Sequence, residues 1–175
     1  MTKKVLVCVT GSIAAYKAAE LVRLFVRHGD EVHVAMTPAA TEFVKPLTFQ
    51  TLSRNPVHVE SFERPAGWMP DHISLAQLAD LVIVAPATAN TIAKMRYGIA
   101  DNLVTSFLLA THAQIVVAPA MNEGMWFNQA TQENIEVLRK RGIMVLPPSE
   151  GDLACGVKGA GRMMEPERIF KELAG

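Results

Sequence analysis

Short polar side chains follow several strand-like apolar segments of this sequence, where they could bind a ligand. They occur in "VTGSIA", "AMTPAA" and "APATANT", as Ser12, Thr37, Thr88, Asn90 and Thr91, with Gly11 beside the first. Backbone N–H groups at a helix N-terminus, together with hydroxyl groups, favour a phosphate. Because the first segment lacks the GxGxxG pattern and the second ends without an acidic residue, the pattern indicates a mononucleotide rather than NAD. A tight turn with a serine cap is the alternative interpretation of the first segment.

One of the two cysteines lies in an unusual setting. Cys8 lies in an apolar segment and is explained as a small buried residue. Cys155 lies in "LACGVKGAGRM", with Gly156, Gly159 and Gly161 close behind it. Such a density of glycine indicates a backbone that can move, and a mobile loop that carries a thiol can act as a lid with a proton donor. An incidental cysteine in a structural loop is the alternative.

Two further polar side chains could act on a carboxylate or a proton. Asn122, in "PAMNEGMW", follows an apolar segment, where its amide can donate to a carboxylate or cap the next helix. His72 suits a base at neutral pH, or it simply faces solvent at a helix N-terminus. Met121, Met125 and Trp126 beside Asn122 suit either a hydrophobic wall of a site or ordinary core. None of the five histidines has the spacing of metal ligands, so no metal site is predicted.

The elements that must position these residues alternate between strands and helices. The strands are "KKVLVCV", "EVHVAM", "DLVIVAPAT", "QIVVAPAMN" and "IMVLPP", and amphipathic helices lie between them, one ending at Gly29 and two separated at Gly98. "TPAATEFV" is predicted to begin a helix, and "PERIFKELA" to form the last one. Continuous apolar strands predict an α/β fold, a doubly wound, Rossmann-like parallel sheet with helices on both faces, in a single domain over residues 1–175. Ligands bind such sheets at the carboxyl ends of the strands.

The composition excludes several classes of partner. Lys plus Arg and Asp plus Glu both number 17, so no excess charge favours nucleic acid or an anionic membrane. The apolar runs are too short to span a membrane, and "MTKKVLVCVTGS" is typical of a first strand rather than a signal peptide. Two cysteines in different settings indicate a reducing compartment. We therefore expect a cytoplasmic protein with a small-molecule substrate and neither a nucleic-acid nor a membrane partner.

Four motifs occur in an order and at spacings that resemble one known family. "GSIAAYK", "PATANT", "PAMNEGMW" and "LACGVKGAGRM" resemble the homo-oligomeric, flavin-containing cysteine decarboxylases, and the resemblance extends from Val5 to about Phe170. "PAMNEGMW" is the most specific of the four. The resemblance implies that FMN lies across the strand ends, with its phosphate near Gly11, Ser12, Ile13, Ala14 and Thr37, and its ribityl chain and ring near Thr88, Ala89, Asn90, Thr91 and Ala120.

The same resemblance implies a set of catalytic roles. His72 acts as a base or orients the substrate's carboxylate, Asn122 binds that carboxylate, and Cys155 protonates an intermediate from a flexible flap over about residues 151–165. Substrate contacts are expected from Met125, Leu153, Ala154 and Gly159. The implied reaction oxidises the thiol-bearing carbon to a thioaldehyde, releases carbon dioxide, and then protonates and reduces the enethiolate, with no net redox change.

The cysteine flap favours the coenzyme A branch of this family over the branch that oxidatively decarboxylates a peptide's C-terminal cysteine. The implied substrate is phosphopantothenoylcysteine and the implied product is phosphopantetheine. A peptidyl-cysteine decarboxylase and a non-catalytic flavin-binding protein remain the alternatives. The family also implies a homotrimer or a higher multiple, and a phosphopantothenate–cysteine ligase domain or protein as a partner.

Overall fold

The strands form one parallel sheet whose order reverses at its middle. The computed structural model describes residues 2–59, 76–152 and 158–174. Within them, the sheet has the order β3-β2-β1-β4-β5-β6. Its strands are β1 (Lys4–Val9), β2 (Glu31–Met36), β3 (Val57–His58), β4 (Leu81–Ala87), β5 (Gln114–Pro119) and β6 (Met144–Val145). The chain winds outward in one direction from β1 to β3 and in the other from β4 to β6, so the topological switch point lies between β1 and β4.

Helices cover both faces of this sheet. They are α1 (Ala15–His28), a 3-10 helix (Pro38–Glu42), α2 (Pro46–Ser53), α3 (Ala89–Tyr97), α4 (Leu103–Ala110), α5 (Glu123–Trp126), α6 (Gln129–Lys140) and α7 (Pro166–Leu173). Helices α1, α2 and α7 share one core cluster with Val5 and Val7 of β1. Helices α3, α4 and α6 share the other with Leu6 and Cys8. Alternate residues of β1 thus face opposite cores, and the predicted doubly wound sheet is confirmed.

Local backbone chemistry explains most helix ends. Gly29 and Gly98 both adopt the left-handed conformation at helix C-caps, with φ of 100° and 70°. Asn102 then opens α4 through a capping box with Thr105. The predicted break of the long helical segment at Gly98 is therefore confirmed.

Two elements are shorter than the sequence predicts, and proline explains both. The helix expected from "TPAATEFV" is only a 3-10 helix, because Pro46 requires extended backbone at Lys45, where ψ is 145°. The strand expected from "IMVLPP" pairs only over Met144–Val145, because the prolines that follow have no N–H to donate to the sheet.

The glycine-rich segment near the C-terminus is a hairpin rather than a plain loop. Strands β7 (Ser149–Asp152) and β8 (Lys158–Arg162) pair antiparallel, with Gly151 opposite Gly159. The expected flap over about 151–165 thus has regular arms. Its end also differs, because Met163 and Met164 are buried in the core beside α1 and α7. None of the helices that the described residues form has the length and apolarity needed to cross a membrane.

Candidate functional site

The carboxyl ends of β1, β2, β4 and β5 bring four segments to one edge of the sheet. We name them loop 1 (residues 10–14), loop 2 (37–41), loop 3 (87–91) and loop 4 (119–126). Thr10 joins loop 1 to loop 3: its buried hydroxyl donates to the Pro86 carbonyl (2.7 Å) and accepts from the Thr88 N–H (3.1 Å). One side chain therefore ties the two strands of the switch point together. Sequence reasoning missed Thr10, although a hydroxyl that ends an apolar strand could have signalled it.

Loop 1 presents an open helix N-terminus. Helix α1 begins at Ala15 with no side-chain cap and no acidic residue in its first turn. The Ser12 hydroxyl accepts from the Ala14 N–H at 3.3 Å, which is a local turn rather than a cap of α1. The positive end of the α1 dipole is therefore available to an anion. Ile13, which follows Ser12, is 56% exposed.

Loop 1 rests directly on loop 2. A Cβ atom placed on Gly11 would lie only 2.6 Å from the Ala39 Cβ, so glycine is required for this approach. Thr37 is buried, donates its N–H to the Val9 carbonyl (3.0 Å), and accepts from the Ala40 N–H through its hydroxyl (3.3 Å). Thr37 therefore caps the 3-10 helix and joins the start of loop 2 to the end of β1.

Loop 3 divides its polar residues between capping and exposure. The Thr88 hydroxyl caps α3 by accepting from the Thr91 N–H (3.2 Å) and lies 3.1 Å from the Thr91 hydroxyl. Thr91 is 3% exposed, whereas Asn90 is exposed and Ala89 is half-buried. The buried Ala120 of loop 4 donates its N–H to the Ala87 carbonyl (3.0 Å), which joins loops 3 and 4. Asn90 is thus the polar side chain that loop 3 presents to solvent.

Loop 4 orients the amide of Asn122. Its Oδ1 atom accepts from the Gly124 N–H at 2.8 Å, so the side chain does cap α5. Because an amide oxygen accepts and an amide nitrogen donates, a contact from Asn122 to a carboxylate would be made by Nδ2. Met121 and Trp126 pack partly against the core, whereas Met125 is 49% exposed. Of the three apolar residues considered in this loop, Met125 is the one that presents most surface.

The hairpin is docked on loop 4. The Met121 N–H donates to the Gly161 carbonyl (2.9 Å), and the Ala160 N–H donates to Oε1 of Glu123 (3.1 Å). Sequence reasoning missed both Glu123 and the pairing through Gly161. Neither could have been found from local pattern, because each depends on where β8 lies.

The base of the hairpin is held to α1 by an ion pair. Lys17 Nζ donates to Oε1 of Glu165 (2.7 Å) and to the Met163 carbonyl (3.3 Å), and Arg162 Nη2 reaches the same Glu165 oxygen (3.1 Å). The Lys17 side chain is only 8% exposed. A buried lysine at this position fixes the hairpin's C-terminal arm, and it too was missed.

Several predicted site residues fall outside the described residues. They are His72, Leu153, Ala154 and Cys155. The other cysteine is not a candidate for proton transfer, because burial raises the pKa of the Cys8 thiol far above its ordinary value. In the part of the chain that is described, no group of His, Cys, Asp and Glu residues is arranged to hold a metal ion.

The chemistry of the donors suits a phosphate monoester that carries an apolar ring. None of α1, the 3-10 helix and α3 has an acidic residue in its first turn, so no carboxylate there repels an anion. Ile13 and Met125 supply exposed apolar surface near these polar groups. The residues present therefore fit a flavin mononucleotide better than a cation or a dinucleotide.

The chain is similar to a known family and to curated proteins over most of its length. A model of the family described as Flavoprotein matches residues 1–175. The coenzyme A biosynthesis bifunctional protein CoaBC of Bacillus subtilis is 49% identical over 169 residues, 97% of this chain and 42% of that protein. The chain thus spans less than half the length of this relative. A probable phosphopantothenoylcysteine decarboxylase of Streptococcus mutans is 45% identical over 175 residues, 99% of this chain and 98% of that protein.

Several solved structures are similar to this chain over nearly its whole length. A cysteine-to-serine mutant of PPC decarboxylase complexed with pantothenoylaminoethenethiol matches with a TM-score of 0.89 and 32% identity, over 99% of this chain and 97% of that one. The FMN binding protein AtHal3 matches with a TM-score of 0.86 and 32% identity, over 99% and 96%. The peptidyl-cysteine decarboxylase EpiD matches with a TM-score of 0.86 and 26% identity, over 100% of both chains.

Proposed function

Because the chain belongs to the Flavoprotein family, we propose that it is an FMN-dependent carboxy-lyase that converts phosphopantothenoylcysteine to phosphopantetheine in coenzyme A biosynthesis. The name of the streptococcal relative supports this substrate, and the name of the bacillar relative supports the pathway. The observation that carries the proposal is the docking of the hairpin, whose strands flank Cys155 in the sequence, onto the loop that bears Asn122. A lid that meets a carboxylate site needs this arrangement.

The proposed FMN site lies at the ends of β1 and β4. The phosphate lies at the N-terminus of α1, beside Gly11, Ser12, Ile13 and Ala14, where the uncapped helix end supports an anion. Thr88, Ala89 and Asn90 lie along the ribityl chain and ring. Thr37, Thr91 and Ala120 are buried and hold these loops in place.

The chain's own residues then bind the carboxylate and move a proton. Bound FMN supplies reversible two-electron oxidation of the thiol-bearing carbon, so the electrons released with carbon dioxide are accommodated. Asn122 donates to the leaving carboxylate through a neutral amide, which stabilises that ground-state anion less than a cation would. His72 is the proposed base or orienting group. Cys155 donates a proton to the carbon that has lost carbon dioxide, and Leu153 and Ala154 exclude water there.

We also propose a homotrimer, or a multiple of one, in the cytoplasm. Ile13, Tyr16, Phe43 and Leu47 are 49–70% exposed on loop 1, on α1, before α2 and in the first turn of α2. Large apolar side chains gathered beside a ligand site support burial by another subunit. The partner that supplies the substrate is proposed to be a phosphopantothenate–cysteine ligase domain or protein, as the bifunctional relatives suggest.

The first test is the product mass after the FMN-loaded protein is mixed with phosphopantothenoylcysteine. We expect loss of carbon dioxide alone. Loss of carbon dioxide together with two hydrogens would favour the peptidyl-cysteine type of reaction, because the electrons would then stay on the flavin. An unchanged substrate mass would contradict the proposed activity.

A pair of cysteine variants tests the proton donor. Cys155→Ser is expected to release carbon dioxide but to leave an unsaturated thiol, because the carbon is not protonated. The ethenethiol named with the cysteine-to-serine mutant of PPC decarboxylase supports this expectation. Cys8→Ala is the matched control, since Cys8 is buried in β1, and it should give the saturated product. Saturated product from Cys155→Ser would exclude the role.

A further inference from the structure

We propose that Glu123 is a positioning residue that holds β8 against loop 4, beside the proposed carboxylate site of Asn122. The inference rests on the proposed function, because it concerns the same site. Glu123 is the first residue of α5, immediately after Asn122. The turn that orients the Asn122 amide therefore also presents the Glu123 carboxylate to the hairpin.

The contact is a hydrogen bond from a backbone N–H group to a carboxylate. The Ala160 N–H donates to Oε1 of Glu123 at 3.1 Å. Ala160 is paired with Glu150 across the hairpin, but its N–H is directed to Glu123 on loop 4. Hydrogen bonds to an ionised acceptor are stronger than neutral ones. This bond therefore couples β8 to the site through a side chain.

Gly159 provides independent support for this contact. A Cβ atom placed on Gly159 would lie 2.6 Å from Cδ and Oε1 of Glu123 and 2.8 Å from Oε2. Because Gly159 has no side chain, the Glu123 carboxylate can lie against its backbone. Gly159 was expected to contact substrate as part of a flexible flap, but in the structure it faces Glu123. Position 159 requires glycine because the Glu123 carboxylate packs closely against it.

A second bond to loop 4 is made by the next residue of β8. The Met121 N–H donates to the Gly161 carbonyl at 2.9 Å. Gly161 has a φ of 129°, and a Cβ atom on it would collide with the Met121 carbonyl oxygen. This second link is made by backbone atoms alone. Glu123 is the side-chain link, and its partner Ala160 precedes Gly161 by one residue.

Loss of the Glu123 contact should therefore loosen the end of the hairpin that leads to the proposed proton donor. Binding of the carboxylate by Asn122 does not depend on that contact, so release of carbon dioxide should change less than the protonation that follows. The expected signature is a changed product ratio, with more unsaturated thiol for each turnover. A residue with a purely structural role would lower both steps together.

The experiment compares Glu123→Ala and Glu123→Gln with Glu136→Ala in the full chain loaded with FMN. Glu136 is an exposed glutamate of α6 that pairs only loosely with Lys140, at 3.8 Å, and it is the control. With phosphopantothenoylcysteine as the substrate, Glu123→Ala should raise the ratio of unsaturated to saturated product by about tenfold. Glu123→Gln should stay close to wild type, because its amide oxygen still accepts from Ala160. An unchanged ratio in Glu123→Ala would overturn the inference.

Two further measurements separate this inference from the proposed function. Amide hydrogen exchange at Ala160 should speed up in Glu123→Ala but not in Glu123→Gln or Glu136→Ala, whether or not the protein turns over substrate. If the wild-type protein releases no carbon dioxide, the proposed function fails and the exchange result alone decides the Glu123 contact. If Glu123→Ala does not fold, Gly159→Ala takes its place. The added Cβ displaces the carboxylate, and the product ratio and exchange should change in the same direction.

Discussion

At the scale of single residues, the candidate site depends on close contacts at glycines, where any larger side chain would collide with a neighbouring segment. Gly11 has a φ in the ordinary range, so position 11 requires glycine because Ala39 lies too close for a side chain, and not because of the backbone conformation. Gly159 in β8 is explained in the same way by the Glu123 carboxylate. Thr10 acts through a short side chain that reaches two backbone groups of β4 and loop 3. Small residues here permit contacts between loops that larger side chains would prevent.

The contact at Gly11 predicts a specific loss of cofactor binding. Gly11→Ala would place two carbons 2.6 Å apart, so loop 1 must move away from loop 2 and carry the α1 N-terminus with it. We expect the Kd for FMN, measured by fluorescence titration, to rise by about tenfold or more. Ala39→Gly in the same chain removes the colliding atom and should recover most of the affinity. Unchanged binding by Gly11→Ala would contradict the proposed position of the phosphate.

At the scale of elements, helix α7 is joined to α1 near both of its ends. The rings of Phe25 and Phe170 pack edge to face with centroids 5.0 Å apart. At the other end, Lys17 of α1 pairs with Glu165, which precedes α7. Because Arg162 also reaches Glu165, the same carboxylate fixes the end of β8. The hairpin is therefore anchored at its base by α1 and on its face by loop 4.

This anchor predicts unequal effects of removing its two partners. The Glu165 side chain is 45% exposed and keeps Arg162, whereas the Lys17 side chain is 8% exposed. Glu165→Gln leaves an almost buried ammonium without its counter-charge and should lower the free energy of unfolding by about 3 kcal/mol. Lys17→Met leaves a solvated carboxylate and should cost about 1 kcal/mol or less.

Urea unfolding at fixed protein and FMN concentrations measures both effects. The double variant Lys17→Met/Glu165→Gln should be more stable than Glu165→Gln alone, because no buried charge is then left unpaired. Additive effects in the double variant would show that the pair does not couple.

At the scale of the whole molecule, the doubly wound topology places every candidate loop at one edge of the sheet. Parallel strands β1, β2, β4 and β5 all end there, and the hairpin returns from the end of the chain to cover loop 4. Apart from Met125, Phe127 and Met144, the large exposed apolar side chains of the described residues lie in two groups. One group surrounds loops 1 and 2, and the other includes Tyr97, Ile99 and Leu109 near the junction of α3 and α4.

The proposed trimer predicts different effects of a charge in these two groups. Leu47 is 70% exposed and Leu109 is 63% exposed, so the two leucines are a matched pair. We expect Leu47→Glu to reduce the mass measured by light scattering to that of a single chain and to release FMN, because the proposed subunit contact lies beside loops 1 and 2. Leu109→Glu should keep both mass and FMN. A wild-type monomer that retains FMN would contradict the trimer.

The order and type of most elements, and the loops at which a ligand is proposed to bind, follow from local patterns in the sequence. Strands β1 and β4 and the ends of helices α1 and α3 depend on apolar runs and on glycines at Gly29 and Gly98, which act on their immediate neighbours. The capping role of Thr88 is equally local. Such features depend on backbone dihedrals and side-chain periodicity within a few residues, so a pattern can predict them.

The contacts that join the parts of the candidate site depend on the fold of the whole chain. Thr10 bonds to a residue 76 positions away, Ala160 to one 37 positions away, and Lys17 to one 148 positions away. Threonine, alanine and lysine occur in many environments, so no local pattern predicts the hydrogen-bond partner of any of these residues. Whether Gly159 is a hinge or a space for a carboxylate likewise depends on what packs against it. These contacts arise only when the sheet and its helices bring distant segments together, which is why the docked hairpin could not be predicted from its glycines.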